Sequence, residues 1–128
     1  MQEILRIRIG EEEDILIARR MVKKETERLG FRSVDRTRIT TAVSELTRNI
    51  VRHAGSGELI ASVDPSGIEI VCRDHGPGMP DVKQAMQEGY STAGTLGMGL
   101  IGAKRLMDRF DIETGSDGTK ITIFKKLR

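Results

Sequence analysis

The chain has 128 residues and a mass of 14.2 kDa, so we expect residues 1–128 to form a single domain with one hydrophobic core. Its net charge is only +2 and 3% of its residues are aromatic, so nothing favours a nucleic-acid partner. No stretch approaches the roughly 20 apolar residues that span a bilayer. The single cysteine, Cys72, has no internal disulfide partner, and we therefore expect a cytoplasmic protein without a membrane-spanning segment.

Hydrophobic periodicity predicts elements in the order β-α-α-β-β-loop-α-β-β. They are a strand over 2–9, helices over 12–29 and 34–54 with Ser33 as cap of the second, strands over 58–63 and 68–73, a short helical piece near 81–88, a helix over 98–110, and strands over 111–114 and 119–126. Because strands joined by hairpins are antiparallel, we expect an α+β fold of two layers. Its helices would lie on one face of a mixed, mainly antiparallel sheet.

Two polar residues lie beside the apolar stripe of the second predicted helix. Glu45 and Asn49 are four residues apart, so they project from one helix face, next to Ala42 and His53. A carboxylate and a carboxamide at the edge of the core could serve chemistry, but a solvated boundary pair has the same spacing. The spacing alone leaves both interpretations open.

A second candidate segment, residues 74–78 (DHGPG), directly follows the apolar strand over 68–73. That strand would hold the Asp74 carboxylate in place, while Gly76 and Gly78 would permit the close approach of a flat ligand or of backbone. Asp, Gly and Pro are also ordinary turn residues, so a simple turn is the alternative.

A glycine-rich stretch over 91–100 leads into the third predicted helix. A helix N-terminus entered through glycines presents unpaired N–H groups that can hold phosphate oxygens, and a mobile glycine loop is the alternative. Gly97, Gly99 and Gly102 match G-x-G-x-x-G, but no predicted strand directly precedes them, which argues against a dinucleotide-binding fold. A Walker G-x-x-x-x-G-K-[ST] motif does not occur in the sequence.

In their order and spacing, these segments resemble the ATP-binding boxes of the GHKL superfamily, named for gyrase, the heat-shock chaperone, histidine kinases and a mismatch-repair protein. Residues 45–49 resemble the N box, 74–78 the first glycine box, 94–100 the lid and second glycine box, and Gly118-Thr119 the last box. No single box is specific, but four in register cover essentially the whole chain. The resemblance implies the Bergerat ATP-binding fold.

Within that superfamily, residues 39–46 and the short length resemble the small bacterial partner-switching serine kinases, together with the anti-sigma kinases. A sensor histidine kinase would add a dimerisation helix with a phospho-accepting histidine. The two histidines of this sequence, His53 and His75, both lie within the nucleotide boxes. The resemblance to the partner-switching group is therefore the stronger one.

The resemblance implies a role for each matching residue. Asp74 would accept a hydrogen bond from the adenine amino group, with Thr119 sharing it. Asn49 would ligate Mg²⁺ through its amide oxygen, and Glu45 would orient or deprotonate the attacking hydroxyl. Arg19 matches a first-helix arginine directed toward the partner's serine, with an ordinary exposed arginine as the alternative. The remaining implied nucleotide-binding residues are Gly76, Gly78, Gly94, Gly97, Met98, Gly99, Leu100 and Arg52.

By the same resemblance, the protein is an ATP- and Mg²⁺-dependent kinase that phosphorylates a serine or threonine of a STAS-domain antagonist protein. Once released, it would activate a PP2C-type phosphatase in a stress-response pathway. An anti-sigma factor or nucleotide-dependent binding module would use the same pocket, and a nucleic-acid binder using Lys125, Lys126 and Arg128 is a weaker hypothesis. The sequence leaves open whether the chain forms a homodimer and how far the lid over 89–97 closes.

Overall fold

Three α-helices pack on one face of a five-stranded sheet in the computed structural model, which describes residues 1–78 and 94–127 and only the backbone of residues 94–98. The elements are β1 (Gln2–Ile9), α1 (Glu12–Arg28), α2 (Ser33–Asn49), a π-helical turn that continues α2 (Ile50–Ala54), β2 (Gly57–Asp64), β3 (Gly67–Asp74), α3 (Gly94–Leu106), β4 (Arg109–Gly115) and β5 (Gly118–Lys126). The predicted order is confirmed. The short helical piece predicted near 81–88 lies outside the described residues.

The strands are arranged in the order β1-β2-β3-β5-β4, and the predicted two-layer α+β arrangement is confirmed. Among the described strands every neighbouring pair is antiparallel, whereas the sequence predicted a mixed, mainly antiparallel sheet. The parallel pairing that a mixed sheet requires does not form among them, because β1 pairs with β2 and β3 pairs with β5 in antiparallel registers.

The hydrophobic core lies between the helices and the inward face of the sheet. Strand β3 shows the alternation that builds it, because Ile68, Ile70 and Cys72 are buried on the inward face and Asp74 follows them in the same register. Burial raises the pKa of the Cys72 thiol to about 12. The predicted apolar stripe of the second helix is buried at Ile39, Ala42, Val43, Leu46 and Ile50, whereas its last member, Ala54, is only half-buried. Within the described ranges, no helix combines the length and apolarity needed to cross a membrane.

The two ends of α2 differ from the prediction. Ser33 is the first helical residue, and the N-cap is Arg32, which makes no side-chain capping bond. At the other end, the α-helix stops at Asn49 and the chain continues as the π-helical turn to Ala54. Gly55, with φ of 90°, then ends the helical path, and its N–H donates to the Ile50 carbonyl at 2.9 Å.

Helix α3 starts and ends four residues earlier than predicted, at Gly94 and Leu106. Asp108 explains its end, because its N–H donates to the Phe124 carbonyl at 2.9 Å and its carboxylate accepts the Lys126 N–H at 2.7 Å. These bonds to β5 draw the chain into β4. The predicted helical residue Phe110 is therefore in a strand.

A partly buried ion cluster joins the start of α2 to the end of α3. Lys125 on β5 is 8% exposed, and its Nζ lies 3.7 Å from Asp35 Oδ1 and 3.7 Å from Asp108 Oδ1. The same Nζ donates to the Leu106 carbonyl at 3.3 Å. Lys125 is therefore engaged inside the fold, which removes it from the nucleic-acid surface that the sequence suggested, and Arg128 lies outside the described residues.

Glycines allow the ends of β3 and β5 to meet around Asp74. A Cβ atom on Gly118, which has φ of 136°, would lie 2.0 Å from the Asp74 carbonyl oxygen. A Cβ on Gly78, with φ of 81°, would lie 2.1 Å from the Gly115 carbonyl oxygen. Backbone packs directly on backbone at both points, so Asp74 is held from its own strand and from the β4–β5 hairpin.

The hairpin offers a matched pair of substitutions for testing this contact. Gly118→Ala places a methyl group in backbone at a positive φ, so we expect the free energy of unfolding to fall by at least about 2 kcal/mol. Gly115→Ala is the control, because a Cβ there meets nothing within 4 Å. Urea denaturation of both variants measures the difference. An equal loss in the two would contradict the close packing described for Gly118.

An ion-paired row lies on the outward face of the sheet. Glu58 accepts a hydrogen bond from Arg73 Nε at 2.7 Å and one from Arg6 Nη1 at 2.9 Å. The Arg73 bond, together with the one from Arg6, lowers the pKa of Glu58 below its ordinary value. The ionised form is thus favoured by the folded state.

This lowered pKa predicts a pH dependence of stability. A carboxyl group with a depressed folded-state pKa stabilises the fold above its unfolded pKa of about 4.3, and that contribution is lost as the pH falls through the folded value. We therefore expect wild type to exceed Glu58→Gln in unfolding free energy at pH 7 and the gap to shrink below about pH 4. Glu69→Gln is the control, since Glu69 makes no ion pair among the residues described. Urea unfolding at several pH values tests this, and a gap that is independent of pH would refute it.

Candidate functional site

A cavity of about 500 Å³ opens between α2, the π-helical turn and α3. Helix α2 contributes Glu45 and Asn49 to it from one face, as their spacing predicts, and Asn49 is 8% exposed. The full lining consists of Thr41, Glu45, Arg48, Asn49, Arg52, His53, Gly99, Leu100, Gly102 and Leu106. The cavity therefore holds a carboxylate, a carboxamide and two guanidinium groups.

The Glu45 carboxylate is held on both sides. Its Oε1 accepts a hydrogen bond from Arg48 Nη1 at 2.9 Å, and a Cβ on Gly99 of α3 would lie 2.7 Å from its Oε2. Gly99 therefore lies close to the carboxylate, and a side chain at position 99 would require the Glu45 side chain to shift. Arg48 was not among the predicted site residues, although its i,i+3 spacing from Glu45 is a signal that could have found it.

Arg52, a predicted phosphate-facing residue, lies in the same cavity. Its Nη2 donates to Glu12 Oε1, in the first turn of α1, at 3.2 Å, and both side chains are more than half exposed. Exposed ion pairs of this kind contribute little free energy, because water competes for both partners. Arg52 can therefore exchange Glu12 for a phosphate oxygen at small cost.

Asp74 occupies a second hollow, of about 550 Å³, at the ends of β3, β4 and β5. The side chain is 8% exposed, and its Oδ1 accepts the Gly76 N–H at 2.9 Å and the Thr119 N–H at 3.3 Å. Its other oxygen, Oδ2, accepts no hydrogen bond from the residues that the structure describes. The Thr119 hydroxyl, beside it, shares a hydrogen bond with Thr114 Oγ1 at 2.8 Å.

The π-helical turn connects the two hollows. Its residue Arg52 lines the first cavity. Its last residue, Ala54, packs against Gly76, because a Cβ added to Gly76 would lie 2.8 Å from the Ala54 Cβ. Asp74 itself does not line the cavity of Glu45. The structure thus brings Glu45, Asn49 and Arg52 together and places Asp74 and Thr119 in a neighbouring hollow across the turn.

The predicted phosphate-binding loop is helical in this structure. Gly94, Gly97, Met98, Gly99 and Leu100 all belong to α3, which begins at Gly94. In an α-helix only the first four N–H groups lack an intrahelical partner, so the amides of Gly99 and Leu100 are bonded within α3. The helix therefore starts at Gly94 and not at the predicted Met98, which places these two amides inside it. Their role in holding phosphate oxygens remains a prediction. Residues 89–93 of the expected lid lie outside the described residues.

Arg19 lies in the groove between α1 and α2. Its Nη1 donates to Ser44 Oγ at 3.0 Å, and Ser44 directly precedes Glu45. The side chain is half-buried, so the alternative of an ordinary exposed arginine does not describe it. Arg19 therefore contacts the residue that directly precedes Glu45 of the first cavity.

Comparison with known proteins identifies the family of this chain. The family described as "Histidine kinase-like ATPase domain" matches residues 11–125. The chain is 45% identical over 127 residues to the serine/threonine-protein kinase RsbT of Bacillus subtilis, covering 95% of this chain and 96% of that protein. It is 34% identical over 102 residues to the anti-sigma F factor of Clostridium novyi, covering 72% of this chain and 71% of that factor.

Solved structures share the fold. The RsbU and RsbW domains of a Mycobacterium tuberculosis protein match with a TM-score of 0.70 at 19% identity, over 97% of this chain and 33% of that longer chain. The SiaB–SiaC complex of Pseudomonas aeruginosa matches with a TM-score of 0.70 at 9% identity, over 98% of this chain and 91% of that chain. The chain belongs to the histidine kinase-like ATPase family, and it is a kinase of the group that contains RsbT and the anti-sigma F factors.

Proposed function

We propose that the protein is an ATP- and Mg²⁺-dependent serine/threonine kinase that phosphorylates a STAS-domain partner. The observation that carries this proposal is the pairing of Glu45 and Asn49 on one face of α2, in a cavity that also holds Arg48 and Arg52. Such a set offers a proton acceptor, an oxygen ligand and two cations for phosphates. Phosphoryl transfer depends mainly on positioning and on charge stabilisation, which these groups supply.

In this proposal, Asp74 recognises adenine through a hydrogen bond. Its Oδ1 is occupied by the amides of Gly76 and Thr119, which fixes the carboxylate, while Oδ2 remains an acceptor. An exocyclic amino group is a donor and matches that acceptor. The Thr119 hydroxyl lies beside the carboxylate and supplies a further polar contact.

The residues present fit a magnesium ion that is held chiefly by ATP. Among the described residues, no group of three His, Cys, Asp or Glu side chains forms a metal cluster, and Asn49 offers one amide oxygen in the cavity. Magnesium in nucleotide sites takes few protein ligands and completes its octahedron with phosphate oxygens and water. When bound, the ion would neutralise charge on the phosphates.

Glu45 would direct the attacking hydroxyl of the partner. The serine oxygen forms a bond to the γ-phosphorus, the bond from that phosphorus to the β–γ bridging oxygen breaks, ADP leaves, and the hydroxyl proton passes to the Glu45 carboxylate. Arg48, which holds that carboxylate at 2.9 Å, keeps it oriented. Arg52 would face the transferred phosphate from the next turn.

The partner would dock beside α1. Arg19 reaches toward the residue before Glu45, and α1 also exposes Leu16, Ile17 and Met21. The 45% identity to RsbT supports a partner-switching role, in which the kinase leaves its phosphorylated STAS partner and activates a PP2C-type phosphatase. We infer that this takes place in the cytoplasm.

A second candidate function is a nucleotide-dependent binding module that sequesters a regulator, because several anti-sigma F factors are 30–34% identical to this chain. Incubation with labelled ATP and a panel of STAS-domain proteins separates the two. Transfer of label to a STAS protein supports the kinase. ATP-dependent complex formation without transfer to any of them would favour the module.

Asp74→Asn should abolish measurable ATP binding in calorimetry. The asparagine oxygen can still accept the amides of Gly76 and Thr119, so the fold is kept, but an NH₂ donor replaces Oδ2 and opposes the adenine amino group. Asp117→Asn is the control, because Asp117 lines the same hollow and is exposed. ATP affinity unchanged in Asp74→Asn would contradict the adenine assignment.

Glu45→Gln should keep ATP affinity and slow phosphotransfer roughly 100-fold, the lower end of what a general base contributes. The measurement is single-turnover transfer of labelled phosphate, with ATP binding measured in parallel. Glu27→Gln, an exposed substitution on α1, controls for the lost charge. A transfer rate equal to that of wild type would remove Glu45 from the mechanism.

A further inference from the structure

A basic hollow of about 260 Å³ lies between α1 and the first turns of α2, apart from both hollows described above. Its lining consists of Arg19, Lys23, Ser33, Arg36, Thr37 and Thr40. Three of these six side chains are cationic, three carry hydroxyl groups, and none is acidic. A concave site with this composition repels cations and attracts oxyanions.

The cations around this hollow are incompletely neutralised. Lys23 is exposed and makes no ion pair or hydrogen bond through its side chain with the residues that the structure describes. Arg36 donates to the Phe31 carbonyl at 2.6 Å, and Arg19 donates to the Ser44 hydroxyl at 3.0 Å. Both partners are neutral groups, so no carboxylate in the described part of the chain pairs with either guanidinium, while the two hydrogen bonds hold them in position.

The nearby carboxylate on α2 is committed elsewhere. Asp35 is buried and pairs with Arg38 at 3.3 Å, with Arg32 at 3.7 Å and with Lys125 at 3.7 Å. It therefore does not neutralise the hollow. Ser33 and Thr37 are exposed at the rim, where their hydroxyls can donate to an incoming oxygen.

We infer that this hollow binds an oxyanion group, a carboxylate or a phosphoryl group, presented by the protein that docks beside α1. The identity of the docked protein as kinase substrate rests on the proposed function, whereas oxyanion binding does not. Arg19 links the two sites, because it lines the hollow and contacts the residue before Glu45. An anionic group of the partner bound in this hollow would fix the distance between the partner and the first cavity, which holds Glu45.

The test titrates the full chain with sodium sulfate and follows backbone amides by NMR, with sodium chloride keeping the ionic strength constant. We expect saturable shifts at Thr37 and Thr40. Lys23→Gln should raise the sulfate concentration for half-saturation roughly threefold, as expected for one partly exposed charge. Lys24→Gln is the matched control, because Lys24 is the next residue on α1, is also exposed, and does not line the hollow.

A second arm uses blocked tripeptides, Gly-phosphoserine-Gly and Gly-Glu-Gly, against their Ser and Gln counterparts. Shifts at Thr37 and Thr40 with one anionic peptide and not with its neutral counterpart identify the group that the hollow accepts. Shifts confined to Arg48 and Arg52, equal effects of Lys23→Gln and Lys24→Gln, or no saturable shift would each overturn the inference. None of these readouts needs ATP or phosphotransfer, so failure of the kinase proposal would show separately.

Discussion

The site depends on a carboxylate kept at the edge of the core. Asp74 ends the buried face of β3, where an ionised group without partners would be costly. The amides of Gly76 and Thr119 offset that cost at Oδ1, and Gly118 permits the backbone contact that brings Thr119 within reach. The same arrangement leaves Oδ2 as an acceptor without a protein donor among the described residues. In the proposed function, the fold and the adenine base would therefore use different oxygens of the Asp74 side chain.

Helix α2 carries the other half of the site because it is the central helix. It packs on α1, on α3 and on the sheet, so its buried stripe fixes its rotation, and that rotation aims Glu45 and Asn49 into the first cavity. The π-helical turn then continues the helix with one more residue per turn than an α-helix has. In this turn Arg52 lines the first cavity and Ala54 packs against Gly76.

Local features of the fold could be predicted from the sequence. The β2–β3 hairpin is an example, since Asp64 accepts the N–H groups of Ser66 at 2.8 Å and Gly67 at 3.2 Å, a turn that needs only these neighbours. That Glu45 and Asn49 share one face of α2 could also be predicted locally, from their spacing of four residues. The end of α3 was predicted wrongly because it depends on bonds from Asp108 to β5, remote in sequence, and an apolar residue such as Phe110 fits either period.

The helical state of α3 and the proposed use of ATP compete for the same amides. The N–H groups of Gly99 and Leu100 are bonded within α3, so a phosphate can take them only if the first turns of the helix open. Opening would also move Gly99 away from the Glu45 carboxylate, near which it lies in this structure. A ligand that binds the open form more tightly shifts the balance toward it only by that difference in affinity. Glycine at positions 94, 97 and 99 lowers the helix propensity of these turns, and this reduces the free energy needed to open them.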